Sequence, residues 1–302
     1  MRTVAAILVL AIASCVGCGG SDTKTTSNSP FAYDASAPLH YVDRGVVNHG
    51  YPIKVHDVSF TSAGGRRVDG LLAVPPGKGP FPAVVYLHGT GGDRTELVIP
   101  ATWMAARGVV ALTITLPEDA APTTGSAAAR LAAQRQGVVD SVVAARRAVD
   151  ALQSLPQVDG DRMGLVGWSS GARLGAILAG VEPRLKALDL LSGGSPPVRD
   201  YAAQAPASLR PAILRELGAV DPLHWVALAR PGTVLLQDGR KDEVVPRSAL
   251  RALAAAAGPA AEVRWYAQGH APSRAAYADG LDWLAAKLGV TGPTVKGAVP
   301  GP

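Results

Sequence analysis

Gly167-Trp168-Ser169-Ser170-Gly171, set between the apolar run Met163-Gly164-Leu165-Val166 and the helix-forming stretch Ala172-Arg173-Leu174-Gly175-Ala176-Ile177-Leu178-Ala179, decides how the rest of this chain is read. A serine hydroxyl is a poor nucleophile. To react it must be pushed out of the backbone on a strained strand-to-helix turn where a base can reach it. Glycines two residues before and two residues after Ser169 remove the Cβ atoms that would collide where strand and helix meet. That spacing makes Ser169 the candidate nucleophile rather than Ser170. The same five letters also occur as an ordinary turn, so the reading depends on what precedes and follows.

Residues 53–60 (Ile53-Lys54-Val55-His56-Asp57-Val58-Ser59-Phe60) and 66–74 alternate apolar with polar around Gly64-Gly65, which predicts a hairpin of two half-buried strands. Pro75-Pro76-Gly77 ends it. Beyond it the pattern becomes continuous apolar runs at 83–87, 109–115, 162–168, 187–191, 233–237 and 262–266. Helical segments alternate with them near 95–107, 126–155, 170–180, 246–257 and 273–288. Such alternation predicts an α/β fold with a mostly parallel central sheet, helices on both faces and an antiparallel start. Residues 192–230, rich in Pro, Ala and Arg between two strands, predict a small cap of short helices.

An antiparallel start, six parallel strands and GxSxG after the third of them resemble the α/β-hydrolase fold over about residues 50–290. The strings Asp159-Gly160-Asp161-Arg162 and Gly239-Arg240-Lys241-Asp242-Glu243-Val244-Val245-Pro246 are similar to those of the dienelactone-hydrolase-type and acyl-peptidase-type branch. Dienelactone hydrolases proper use a cysteine where this chain has Ser169. The resemblance implies the chain order Ser, Asp or Glu, His for a catalytic triad. Two histidines follow Ser169. His270, in Gln268-Gly269-His270-Ala271 between the last strand and the last helix, is where the superfamily carries its base. His224, in a Pro-marked loop, reads as a residue flanking or packing beneath the pocket. For the acid, Asp242 follows the 233–237 strand at its carboxyl end, the edge where such sheets carry their sites. Asp238 and Glu243 are its neighbours in competition. The oxyanion donors implied are the backbone N–H of Ser170, at the positive end of a helix, and that of Thr90 in His88-Gly89-Thr90-Gly91-Gly92, with His88 structural.

The function implied is a serine hydrolase cleaving carboxylic esters through an acyl-enzyme, acting on a small-molecule ester. A small serine peptidase and a non-catalytic binding protein on the same fold are the alternatives. No cofactor or metal is implied: both cysteines, Cys15 and Cys18, precede residue 19, and neither GxGxxG nor GxxxxGK[ST] occurs. With 48% hydrophobic and 18% charged residues in 302, a well-buried single domain is expected. The net charge of +5 is scattered without a basic run, which gives nucleic-acid binding no support.

Residues 1–18 read as a lipoprotein-type signal peptide. Arg2 supplies the positive n-region and Val4 to Ala13 the apolar core, which is too short for a helix across roughly 30 Å of hydrocarbon. Ile12-Ala13-Ser14-Cys15 resembles a lipobox, making Cys15 the lipidation candidate and Cys18 the alternative. The expectation is an exported, membrane-anchored bacterial lipoprotein on the periplasmic side or cell surface, or otherwise a secreted protein. Residues 19–45 are expected as a flexible linker, 46–290 as the hydrolase domain and 291–302 as a loose tail.

Overall fold

The structure, a computed structural model, describes residues 29–49, 53–117 and 124–291. The leader with Cys15 and Cys18, and the tail beyond residue 291, lie outside the described residues. Among the described residues no helix is long and apolar enough to cross a membrane.

Among the described residues, nine strands form one sheet in the order β1-β2-β3-β5-β4-β6-β7-β8-β9. β1 (Val42–Val46), β2 (Lys54–Thr61) and β3 (Arg67–Val74) are antiparallel, and β3 pairs antiparallel with β5 (Val110–Ile114). From there the sheet is parallel through β4 (Phe81–Leu87), β6 (Val158–Trp168), β7 (Leu185–Leu191), β8 (Val234–Gly239) and β9 (Ala261–Tyr266). This is the expected α/β-hydrolase architecture. The continuous apolar runs are explained by burial on both faces. Along β4, Ala83, Val85 and Leu87 join one core cluster, with residues of α2 (Ala127–Gln153) and α3 (Ser170–Val181). Val84 and Tyr86 point the other way, against α1 (Val98–Ala106) and α8 (Arg274–Lys287). The 192–230 excursion folds into three short helices, α4 (Val198–Gln204), α5 (Arg210–Gly218) and α6 (Pro222–Val226). It is followed by α7 (Arg247–Ala257) after β8. A cleft of about 490 Å³ separates the start of α2 from α4 and α5, lined by Leu131, Tyr201, Leu209 and Ile213 among others. Both α2 and α4 follow carboxyl ends of strands, so this cleft stands at the carboxyl edge of the sheet.

Residues 29–45 depart from the linker expectation: they are docked on the domain. Phe31 is fully buried, edge-on to Trp225 with ring centroids 5.3 Å apart. The Tyr33 hydroxyl lies 3.0 Å from an oxygen of Asp150. The Arg147 guanidinium, 2% exposed, donates to the carbonyls of Ala37 at 2.8 Å, Thr61 at 3.3 Å and Ala35 at 3.4 Å, and to Asp150 at 2.9 Å. A polar, Pro-containing composition conceals such a strap because its attachment rests on two aromatics and on arginines of α2. Removing a buried cation strands its acceptors, so Arg147→Ala is expected to cost on the order of 3 kcal/mol in urea unfolding. Arg147→Lys should restore only part of this, a point ammonium being unable to reach the same set of carbonyls. Equal unfolding midpoints for the Ala variant and the parent would contradict this attachment.

Two carboxyls beneath the site are held in the acid form to unusually high pH. Burial raises Asp189 on β7 to about 7, and burial, then repulsion by Asp242, raises Asp238 on β8 to about 7. An acid raised on folding adds stability that is full below the unfolded value, 3.8, and is lost as pH climbs through 7. The slope is at most about 1.4 kcal/mol per pH unit for each group. Asp189 Oδ1 accepts from Gln237 Nε2 at 2.7 Å, a bond Asn can keep. Asp189→Asn should therefore gain melting temperature over the parent progressively between about pH 4 and pH 7 and keep a constant lead above that. Parallel melting curves for the two proteins would refute it.

Candidate active site

The chain leaves β6 and enters α3 through Ser169, whose φ of +55° and ψ of −116° are strained for a residue with a side chain. The flanking glycines are required by close approach. A Cβ on Gly167 would lie 2.5 Å from the Gly171 carbonyl oxygen, and one on Gly171 would lie 2.2 Å from that of Leu87. The Ser169 N–H is held by Leu191 O at 2.9 Å, at the end of the neighbouring strand.

The three residues expected as a triad come together at the carboxyl edge. His270 Nε2 is 2.9 Å from Ser169 Oγ, and its Nδ1 is 3.0 Å and 3.2 Å from Asp242 Oδ2 and Oδ1. The Asp242 side chain is 1% exposed and that of His270 13%. Asp242 Oδ1 also accepts the backbone N–H groups of Val244 at 2.9 Å and Val245 at 2.8 Å, which orients the carboxylate toward the imidazole. Of the competing acids, Asp238 is buried on β8, and the carboxylate of exposed Glu243 lies beside Gly269. It is the Asp242 carboxylate that accepts from the imidazole Nδ1–H.

The loop after β4 lies against the elbow, since a Cβ on Gly89 would sit 3.4 Å from Ser169 Cβ. His88 spends both ring nitrogens on backbone atoms, with Nδ1 2.7 Å from Gly89 O in the same loop and Nε2 accepting the N–H of Leu116, just after β5, at 2.9 Å. It does not serve Ser169. Glu96 Oε2 accepts the Gly89 N–H at 2.8 Å, a fastening the sequence did not disclose. Arg94 ties the loop to β2 by an ion pair with Asp57. The Thr90 N–H belongs to this loop, and the Ser170 N–H opens α3 directly after Ser169. His224 is exposed, its ring against Trp225. Among the described residues no cluster of three or more His, Cys, Asp or Glu side chains could hold a metal ion.

Ser169, Asp242 and His270, in that chain order on an α/β-hydrolase fold, are hydrogen-bonded to one another at one edge of the sheet. The Esterase FrsA-like profile matches residues 46–205, just over half of the chain, and the chain belongs to that family. Relatives include Esterase FrsA of Escherichia fergusonii, 32% identical over 142 residues, and Esterase FrsA of an Enterobacter strain, 30% identical over the same length. These alignments take in 46% of this chain and 32% of each relative, so the chain matches about a third of their length. Among solved structures, acetyl xylan esterase 1 from Thermoanaerobacterium superposes with a TM-score of 0.68 at 19% identity, covering 83% of this chain and 89% of that one. The acetyl xylan esterase from Paenibacillus sp. R4 gives 0.67 at 22% identity, covering 82% and 89%. A puromycin-hydrolysing peptidase of Mycobacterium tuberculosis gives 0.63 at 20% identity, covering 81% and 41%. At these identities the structural likeness concerns the fold alone.

Proposed function

We propose that this protein is a serine hydrolase that cleaves carboxylic esters through an acyl-enzyme intermediate. The observation that carries the reading is the unbroken hydrogen-bond chain from Ser169 Oγ through the His270 imidazole to Asp242. Membership of an esterase family supports ester over amide as the scissile bond.

In this reading Ser169 Oγ attacks the ester carbonyl carbon while His270 Nε2 takes its proton, and Asp242 supports the imidazolium. Negative charge on the former carbonyl oxygen is met by the Thr90 and Ser170 N–H groups, each worth about 3 kcal/mol of transition-state stabilisation. The tetrahedral species collapses, the proton passes from His270 to the departing alkoxide, and the alcohol leaves. Water then repeats the sequence on the acyl-enzyme, releasing the acid and restoring Ser169. We further propose export and lipid anchoring at Cys15, or alternatively Cys18, a reading supported by the n-region, apolar core and lipobox-like order of residues 1–18.

The test is a panel of acetyl, butyryl and longer nitrophenyl esters, acetylated sugars and matched peptide amides. At least one ester class should be turned over with kcat/KM 100-fold or more above any amide. Faster cleavage of amides than of every ester would replace this reading with the peptidase one.

A further inference from the structure

Ser192, the residue that follows β7, has a backbone that a serine does not adopt without cause. Its φ is +53°, in the left-handed region, and the residue is completely buried. Strain of this kind at a buried position persists only where surrounding contacts enforce it, and it concentrates at functional sites. Three contacts enforce it here. The Ser192 N–H donates to Gln237 O at 2.9 Å on β8, the strand that leads to Asp242. The preceding carbonyl, Leu191 O, accepts the Ser169 N–H at 2.9 Å. The Ser192 Oγ donates to the backbone carbonyl of His270 at 3.1 Å.

The dipeptide Leu191-Ser192 thus touches the backbones of Ser169 and His270 at once and is bonded to the strand that carries the third member. The His270 carbonyl also receives Trp168 Nε1 at 3.2 Å, and the Trp168 ring lies 5.6 Å, centroid to centroid, from the imidazole. Two side chains, one at the end of β6 and one just past β7, therefore converge on one oxygen of a loop residue. That loop has little regular structure of its own: it is backed by Gly239, where a Cβ would come within 2.2 Å of Gly269 O.

We propose that Ser192 is a positioning residue for catalysis: its hydroxyl, acting with the Trp168 indole N–H, clamps the His270 carbonyl and so fixes the imidazole in line between Ser169 and Asp242. The inference rests on the proposed roles of Ser169 and His270. A misplacement of about 1 Å at a reacting group can lower turnover by up to 100-fold without altering how substrate binds, so the clamp should act on kcat rather than on KM.

The test compares Ser192→Ala, Ser192→Gly, Trp168→Phe and the Ser192→Ala/Trp168→Phe double variant, with ester turnover and thermal melting measured on each. The expected result is kcat lowered about tenfold by each single change, with KM within about twofold of the parent. The double variant should fall short of the product of the singles, because both side chains hold the same carbonyl. Ser192→Gly is the discriminating case: it removes the hydroxyl but accommodates a φ of +53° freely, so it should melt no lower than the parent while still losing kcat. Parent-like kcat in Ser192→Gly, or losses in the other variants that only track lowered melting, would overturn the proposal. Ser169→Ala and His270→Ala are measured alongside. If both remain active the catalytic reading itself has failed, whereas if both are inactive and Ser192→Gly is unimpaired, only the clamp has failed.

Discussion

Ser169→Ala is expected to lower kcat for ester turnover on the order of 10⁶-fold, the scale on which a serine triad loses its nucleophile, with fold and substrate affinity little changed. The residual rate belongs to binding and to the oxyanion donors, which the substitution leaves in place. Stability should be insensitive to the Ala change because Ala meets the same backbone at φ +55° that Ser does. Ser169→Gly should instead gain about 1 kcal/mol in unfolding, since glycine relieves that conformation. An inactive protein that is more stable than its parent is the signature of strain maintained for function. Circular dichroism, denaturant titration and steady-state kinetics on the three proteins check these points together.

Asp242→Asn should lower kcat about 10⁴-fold, as removal of the orienting carboxylate does in serine triads. The backbone N–H groups of Val244 and Val245 can still bond the amide oxygen, at the 2.9 Å and 2.8 Å they now span. The amide NH2 would then face His270 Nδ1, which could meet it only as an acceptor. The imidazole would thereby carry its proton on Nε2, where it has no lone pair left to take the Ser169 proton. Asp238→Asn, removing a carboxyl that makes no hydrogen bond to the imidazole, should leave kcat within severalfold of the parent. A larger loss at Asp238 than at Asp242 would reassign the acid.

How far the sequence discloses this architecture depends on how local the governing physics is. β4 and β6 are legible because a strand buried on both faces is written as an apolar run, and the elbow is legible because only glycine tolerates the approach at 167 and 171. Asp242 and His270 are placed by chain order within a recognised fold rather than by any local property of their neighbours. β1 is not legible: it is a short edge strand, Val42-Asp43-Arg44-Gly45-Val46, mostly exposed and with an irregular register against β2, so it leaves no alternating pattern. The strap from residue 29 is hidden for a related reason, since its holding contacts come from Arg146, Arg147 and Trp225, more than a hundred residues away. Ser192 and Glu96 escape notice because their roles are hydrogen bonds to backbone atoms of other residues, which no motif encodes.

Nucleophilic catalysis by Ser169 requires a covalent bond to its substrate, and locating that bond is decisive. The purified protein would be treated with a fluorophosphonate ester, digested, and the adduct placed by tandem mass spectrometry. One phosphonyl group on Ser169, formed at a rate that falls with His270→Ala in proportion to the loss of ester turnover, is the predicted result. An adduct on Ser170 or Ser192, or full ester turnover by protein whose Ser169 carries the label, would contradict it.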